Sequence, residues 1–329
     1  FILSLFLGVS VSAQMTTYIP SQTFEGTSLG ANETLSASGI DIANAVKMRG
    51  YVDFIFSYDD QDGGDQSEDY STASDVDFLL DLSPVTAELH LDLDGDTLLE
   101  QAFGRYSFND AFNVTFGRQL TVLGFEDDEA PGLYAVSNAY LASNDDVNPV
   151  GATVRRNYKD GTRLNFNNGQ FGLSFGLHDG YWANDDFNGD NIAIDLAGSV
   201  MIIPGLEAQI GYAHEEVGDD DISQFNTWVS FSPNDLTLAL EYDNYDVDLL
   251  DVDYWALMLM ANYQFADWFA ATLRYSHEDV DDAEADRLTF AFLFTITDNL
   301  YFNIEYSTTN GDDTIPDYDE FYLESLLTF

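Results

Sequence analysis

From Val46 to Phe329 the chain alternates with a period of two, broken only by turns. In the stretch Arg287 to Ile296, Leu288, Phe290, Phe292, Phe294 and Ile296 take every second place, and mostly small or polar residues stand between them. Next, Leu300, Phe302, Ile304 and Tyr306 share one face, while Asn303, Glu305 and Ser307 share the other. Residues two apart lie on the same side of a strand but on different sides of a helix, so this pattern demands β-structure. The split recurs in Val85, Ala87, Leu89 and Leu91 against Thr86, Glu88, His90 and Asp92, and in Phe171, Leu173, Phe175 and Leu177 against Gly172, Ser174 and Gly176. Each strand therefore carries one apolar face and one polar face.

About sixteen strands can be marked: 46–58, 73–82, 85–94, 97–108, 112–119, 150–166, 171–181, 191–201, 206–216, 223–232, 235–246, 252–264, 268–278, 285–296, 300–308 and 319–329. The connections between them alternate in length. One set is tight, as at Ser83-Pro84, Asn167 to Gln170 and Thr297 to Asn299. The other is mostly longer and acid-rich, as at 59–72, 120–149 and 182–190, with the short Asp94-Gly95-Asp96 as its exception. Outer-membrane barrels have this asymmetry, with short periplasmic turns, longer outer loops and an even strand number. Lys159-Asp160-Gly161 looks like a turn, but a break there would reverse every later loop, so it is read as a bulge inside one long strand.

A soluble sandwich would bury the apolar faces against each other; a membrane barrel turns them to lipid and encloses water with the polar ones. Three features favour the barrel. Phe1 to Gln14 has an apolar core and ends in Val11-Ser12-Ala13, a small-x-small cleavage pattern, so 1–13 is read as a signal peptide lacking its basic n-region. The last strand ends on Phe329 in phase with Phe321, Leu323 and Leu327, which resembles the C-terminal strand of bacterial outer-membrane barrels. Trp255, Trp268, Tyr242, Tyr263, Phe265, Tyr275 and Tyr306 stand near strand ends, as an interfacial aromatic belt requires, although β-propensity alone would also enrich them. The expectation is an all-β, transmembrane, antiparallel up-and-down barrel over 46–329 in the bacterial outer membrane. Residues 14–45 are read as a periplasmic lead-in or small plug.

The net charge of −49 makes nucleic acid an implausible partner, since phosphates would be repelled. The expected partners are outer-membrane lipids and small hydrophilic solutes and ions. With 45% hydrophobic residues the chain is too apolar to be disordered in spite of its acidity. Four histidines, His90, His178, His214 and His277, fall on separate strands without zinc-ligand spacing. Gly172-Leu173-Ser174-Phe175-Gly176 matches a nucleophile-elbow pattern, but it lies in mid-strand where that elbow cannot form, so no enzyme is expected. No cofactor is expected beyond Ca²⁺ held loosely by acidic outer runs such as Asp59 to Asp69, Asp185 to Asp190 and Asp219 to Asp221, which lack EF-hand spacing.

The longest connection, 120–149, exceeds the length of an idle turn. It is preceded by Gly117-Arg118-Gln119, contains Gly124-Phe125-Glu126, and is followed by Val150-Gly151-Ala152-Thr153-Val154-Arg155. With Lys47 to Tyr58 and Gly180-Tyr181-Trp182, this segment resembles the OmpL-like putative β-barrel porin family. The resemblance implies a third outer loop folded into the lumen, and homotrimers. On that basis Glu126, Asp127, Asp128 and Glu129 would form an acidic side of a constriction, facing Arg105, Arg118, Arg155, Arg156 and Arg163 on the bordering strands. Such opposed rows would set up a transverse field. The same arginines could instead be separate lumen-wall charges, and Arg155 and Arg156, being adjacent, should point to opposite faces. The expected function is passive diffusion of small hydrophilic solutes and ions, with cation preference. The alternative is a structural surface array whose acidic loops are bridged by divalent ions.

Overall fold

The computed structural model describes residues 26–64, 66–93, 98–140, 157–182, 193–217, 220–248, 252–280, 283–312 and 315–329. The proposed signal segment, and Arg155 and Arg156 of the proposed constriction, lie outside the described residues. After a 3-10 turn at Glu33–Leu35 come β1 (Ile40–Ala43), β2 (Val46–Gln61), β3 (Ser67–Leu82), β4 (Val85–Asp92), β5 (Leu99–Asn109) and β6 (Phe112–Leu120). A second 3-10 turn, Ala130–Gly132, lies in the long connection before β7 (Tyr158–Asn167), β8 (Phe171–His178), β9 (Ala193–Ile203) and β10 (Leu206–Val217). The remainder are β11 (Asp220–Phe231), β12 (Leu236–Val247), β13 (Val252–Ala266), β14 (Phe269–Val280), β15 (Ala283–Thr297), β16 (Leu300–Gly311) and β17 (Tyr318–Thr328).

From β2 onward each strand pairs antiparallel with the next, and β17 pairs with β2, placing Phe321 opposite Tyr58 and Thr328 opposite Tyr51. Two main-chain bonds between Gly50 and Phe329, both 3.0 Å, add the last rung of this seam. The sheet is thus a closed barrel of sixteen strands with one extra strand. Closure satisfies every ladder without leaving an edge, the condition for crossing lipid with strands. The extra strand has the same logic. β2 runs past the end of β17 at residues 46–48, and β1 folds back to pair Ile40 with Met48 and Asp41 with Lys47, covering main-chain groups that would otherwise be an open edge.

The two faces are inverted relative to a soluble protein. Along β8, Phe171, Leu173, Phe175 and Leu177 are exposed, while Gly172, Ser174, Gly176 and His178 are buried. Phe292 is 45% exposed in the middle of β15, whereas Asp195, Asp243 and Glu305 are 0% exposed. Rings gather near both rims. Tyr263 and Phe265 meet at 4.8 Å and Trp268 stacks on Phe294 at 6.3 Å near one rim, while Tyr242 lies 6.2 Å from Trp255 near the other. Tight turns join the strands at the first rim. At Pro204-Gly205 the glycine takes φ +80°, as a turn with proline followed by left-handed glycine requires.

The ladder corrects two expectations. β7 begins at Tyr158, and Lys159, Asp160 and Gly161 pair in unbroken register with Gln119, Arg118 and Gly117, so there is no bulge there. The turn-like composition reflects the start of the strand. Several strands also run beyond their expected ends into acidic residues: β10 reaches Val217 and β11 starts at Asp220, leaving only 218–219 between them. Above the membrane both faces meet water, so the alternation fades while the hydrogen-bonded ladder continues.

Candidate functional site

From β2 onward the polar face of the strands turns to the barrel interior, and two parts of the chain outside the ladder make contacts with residues of that face. The first is the beginning of the long connection after β6. Phe125, Tyr134 and Tyr140 join Trp228, Tyr245, Tyr254, Met258 and Met260 from β11, β12 and β13 in one apolar cluster, with Phe125 edge-on to Trp228 at 5.5 Å. These wall residues break the polar pattern of the interior face, and the connection covers them.

Around that cluster the wall supplies acceptors and donors to the connection's main chain. Asn226 and Glu241 accept from the N–H groups of Gly124 and Phe125 at 3.2 and 2.7 Å. Glu305 on β16 accepts from Val136 and Ser137 at 2.6 and 3.0 Å. Arg274 on β14, 1% exposed, pairs with Glu126 and donates to the carbonyls of Ser137 and Asn138 at 2.8 and 2.9 Å. A segment without its own secondary structure must place its main-chain polar groups somewhere; here the far wall takes them. A second connection is held similarly, with Glu215 on β10 accepting from the N–H groups of Tyr181 and Trp182 at 2.9 and 2.6 Å.

The other part is residues 26–36. Asn167 donates to the carbonyl of Leu29 at 2.9 Å, Asn113 to that of Gly30 at 3.0 Å, and Thr34 reaches Glu88. This part lies against β4 to β9 near the rim with the tight turns, since Thr27 N–H also donates to Gly169 O at 3.1 Å.

The expected basic wall is dispersed. Arg105 donates to Asn32 and, at 3.1 Å, to Thr34 Oγ1, so it holds the N-terminal segment. Arg163 pairs with buried Asp195 at 2.9 Å, and the same carboxylate meets His178 at 3.1 Å. Arg118 shares the outward face of β6 with Phe112 and Phe116; it lies 3.8 Å from Asp160 and donates to Glu100 O at 3.0 Å. Hence none of the three described arginines pairs with a carboxylate of the connection. The physical reason is that the connection crosses from the strands that border it to the wall of β11 to β16, where Glu126 meets Arg274, while its Glu129 stays beside Tyr158, Asp75 and Glu100. Arg274, which does meet Glu126, was legible as interior from its phase with Thr272 and Ser276, but its partner was not.

The four acidic residues of the connection also separate. Glu126 is neutralised by Arg274, and Asp127 accepts from the N–H of Asp128 at 2.9 Å. Glu129 accepts from Tyr158 Oη at 3.2 Å and lies beside Asp75 on β3 and Glu100 on β5. Burial, and then the neighbouring Glu100 and Asp128 charges, push the Glu129 carboxyl up to about 8. Other interior charges are matched locally: Arg49 with Asp77 at 2.7 Å, His90 with Asp77 and Glu88 at 2.8 and 2.9 Å, and Arg287 with Glu320 at 2.6 Å. Ser174 of the nucleophile-like pattern donates to Asn165 at 2.8 Å from the middle of β8, and no strand-to-helix elbow surrounds it.

Residues 90–322 match the family described as putative β-barrel porin-2, OmpL-like. No curated protein sequence matches the chain. Among solved structures it is similar to the anion-selective porin from Comamonas acidovorans, with 16% identity and a TM-score of 0.67 over 87% of this chain and 99% of that one. It is similar also to Salmonella typhi OmpF in complex with daunomycin, with 14% identity and a TM-score of 0.61 over 88% and 100%. A third is the trimer form of in-vitro folded OmpT, an outer membrane protein of Vibrio cholerae, with 12% identity and a TM-score of 0.58 over 87% and 100%. At these identities the likeness establishes the fold alone.

Proposed function

This chain belongs to the OmpL-like family of putative β-barrel porins in the bacterial outer membrane, and we propose that it is a passive diffusion channel for small hydrophilic solutes and ions, with a preference for cations. The observation that carries this reading is the composition of the enclosed face. The carboxylates on it, Asp53, Asp75, Glu241, Asp243, Glu305 and Glu324, outnumber the guanidinium groups of Arg105, Arg163, Arg274 and Arg287, although Glu241 and Glu305 are themselves committed to the connection's main chain. A wall with surplus carboxylates concentrates counter-ions and repels anions. That selectivity is opposite to the one named for the Comamonas porin, and it rests on the charges of this chain.

In this reading the connection beginning at Thr121 folds into the lumen and narrows it, held by β11 to β16 on one side and touching β3 and β5 through Glu129 on the other. Its attachment by Glu126, Val136 and Ser137 supports that. The transverse field expected from opposed arginine and carboxylate rows is not part of this reading, since Arg105, Arg118 and Arg163 have partners outside the connection. Residues 26–36 narrow the periplasmic mouth, and the molecule works as a trimer, as supported by the trimer form among its structural relatives. No step of this function makes or breaks a covalent bond.

Liposome swelling tests the reading. Vesicles containing the refolded protein should swell in an isotonic pentose solution and fail to swell with a large oligosaccharide. Vesicles that exclude the pentose would contradict it and leave a structural surface role.

A further inference from the structure

We propose that Asp75, Glu100 and Glu129 form a binding site for one divalent cation of the calcium type, which fastens the connection after β6 to the wall built by β3 and β5. One carboxylate oxygen from each residue lies within 4.8 Å of the other two. The three come from distant parts of the chain, so their meeting is a product of the tertiary fold.

Two further observations point to a ligand there. Asp75 is 3% exposed, and its Oδ2 is buried without a hydrogen-bond partner, as is Glu100 Oε2. A buried carboxylate oxygen left in that state costs free energy unless something positive meets it. Yet the cations nearby are already taken. Asp77 has Arg49 and His90, and Glu88 has His90. Among the described residues, none of the ion pairs includes Asp75, Glu100 or Glu129.

The donor set selects the ion. Three carboxylates and no nitrogen or sulfur suit a hard cation. Oxygens on opposite sides of Ca²⁺ stand about 4.6–5.2 Å apart, against about 4.0–4.2 Å for Mg²⁺, which also demands a regular octahedron. The flexible shell of calcium accepts three such oxygens from separate elements, where magnesium would need them on the corners of a regular octahedron. Tyr158 donates to Glu129 at 3.2 Å, and Tyr51 on β2 bonds the same carboxylate. These hydroxyls orient the ligand as outer partners commonly do. The site is distinct from loose ion binding by the acidic outer loops, and it requires no conduction through the barrel.

The test uses the full chain, refolded in detergent and stripped with EDTA. Tb³⁺ luminescence excited through tyrosine, followed by displacement with Ca²⁺, should report one site with an affinity on the order of micromolar. The double variant Asp75→Asn/Glu100→Gln should lose at least about tenfold in Ca²⁺ affinity, equivalent to about 1.4 kcal/mol. The variant Glu129→Gln, outside the strands, should show the same loss, which guards against misfolding of the strand variant. Asp60→Asn/Asp62→Asn at the outer end of β2 should leave the affinity unchanged. Equal affinity in wild type, double variant and Glu129→Gln, or binding only at millimolar Ca²⁺, would overturn the site and reduce it to an adventitious ion only.

Discussion

At the scale of single residues, Arg274 has the largest assigned role. It is 1% exposed and joins Glu126 to the carbonyls of Ser137 and Asn138, so one side chain ties two ends of a connection to β14. Removing one member of such a buried pair costs about 3–5 kcal/mol, because the other charge remains without compensation. In Arg274→Met the connection should detach from the wall, and single-channel conductance should rise with added open-channel noise; an unchanged current trace would show that the segment does not border the pathway. Glu129 supplies a pH dependence. Its carboxyl is held up at about 8 by burial and by Glu100 and Asp128. The folded protein therefore keeps this proton more tightly than the unfolded chain does. The resulting stability is complete below 4.5, the ordinary value for the group, declines as pH rises between the two values and is lost above about 8. Conductance noise in metal-free buffer should increase from pH 7 to 9 in wild type and stay level in Glu129→Gln.

At the scale of elements, the apolar rows predict where charge is tolerated. Phe292, on the lipid side of β15, should resist replacement: Phe292→Arg near mid-membrane should cost about 2–4 kcal/mol, measured by denaturant unfolding from lipid vesicles. Deleting residues 26–36 should open the mouth with the tight turns and raise conductance, while the barrel keeps its heat-resistant electrophoretic mobility. The strands themselves were legible because lipid and water impose opposite demands on Leu173 and Ser174, and a period of two records both. β1 was not, since Ile40 to Ala43 are all exposed and carry no alternation of burial; what places them is the open edge of β2. The attachments of the connection were hidden for a different reason. Arg105, Arg118 and Arg163 border it in sequence, but Trp228, Met258 and Met260 offer it an apolar seat across the barrel, and distance along the chain says nothing about that seat. Gly180-Tyr181-Trp182 was visible as a motif, although its anchor, Glu215, lies on a different strand.

At the scale of the whole molecule, the excess of acid gains its meaning from closure. A net charge of −49 on an open surface would be screened by salt within about 10 Å. Inside a closed barrel the carboxylates of several strands face one narrow space, where their potentials add and screening is weaker. In the proposed reading, apolar residues toward lipid, carboxylates on the enclosed face and a connection held against that face would give a channel that sorts ions by sign. The most direct measurement is the reversal potential of the protein in a planar bilayer under about a tenfold KCl gradient. A potential of the sign given by K⁺ moving down its gradient is the predicted result; a potential of the opposite sign, or a bilayer that never conducts, would contradict the account.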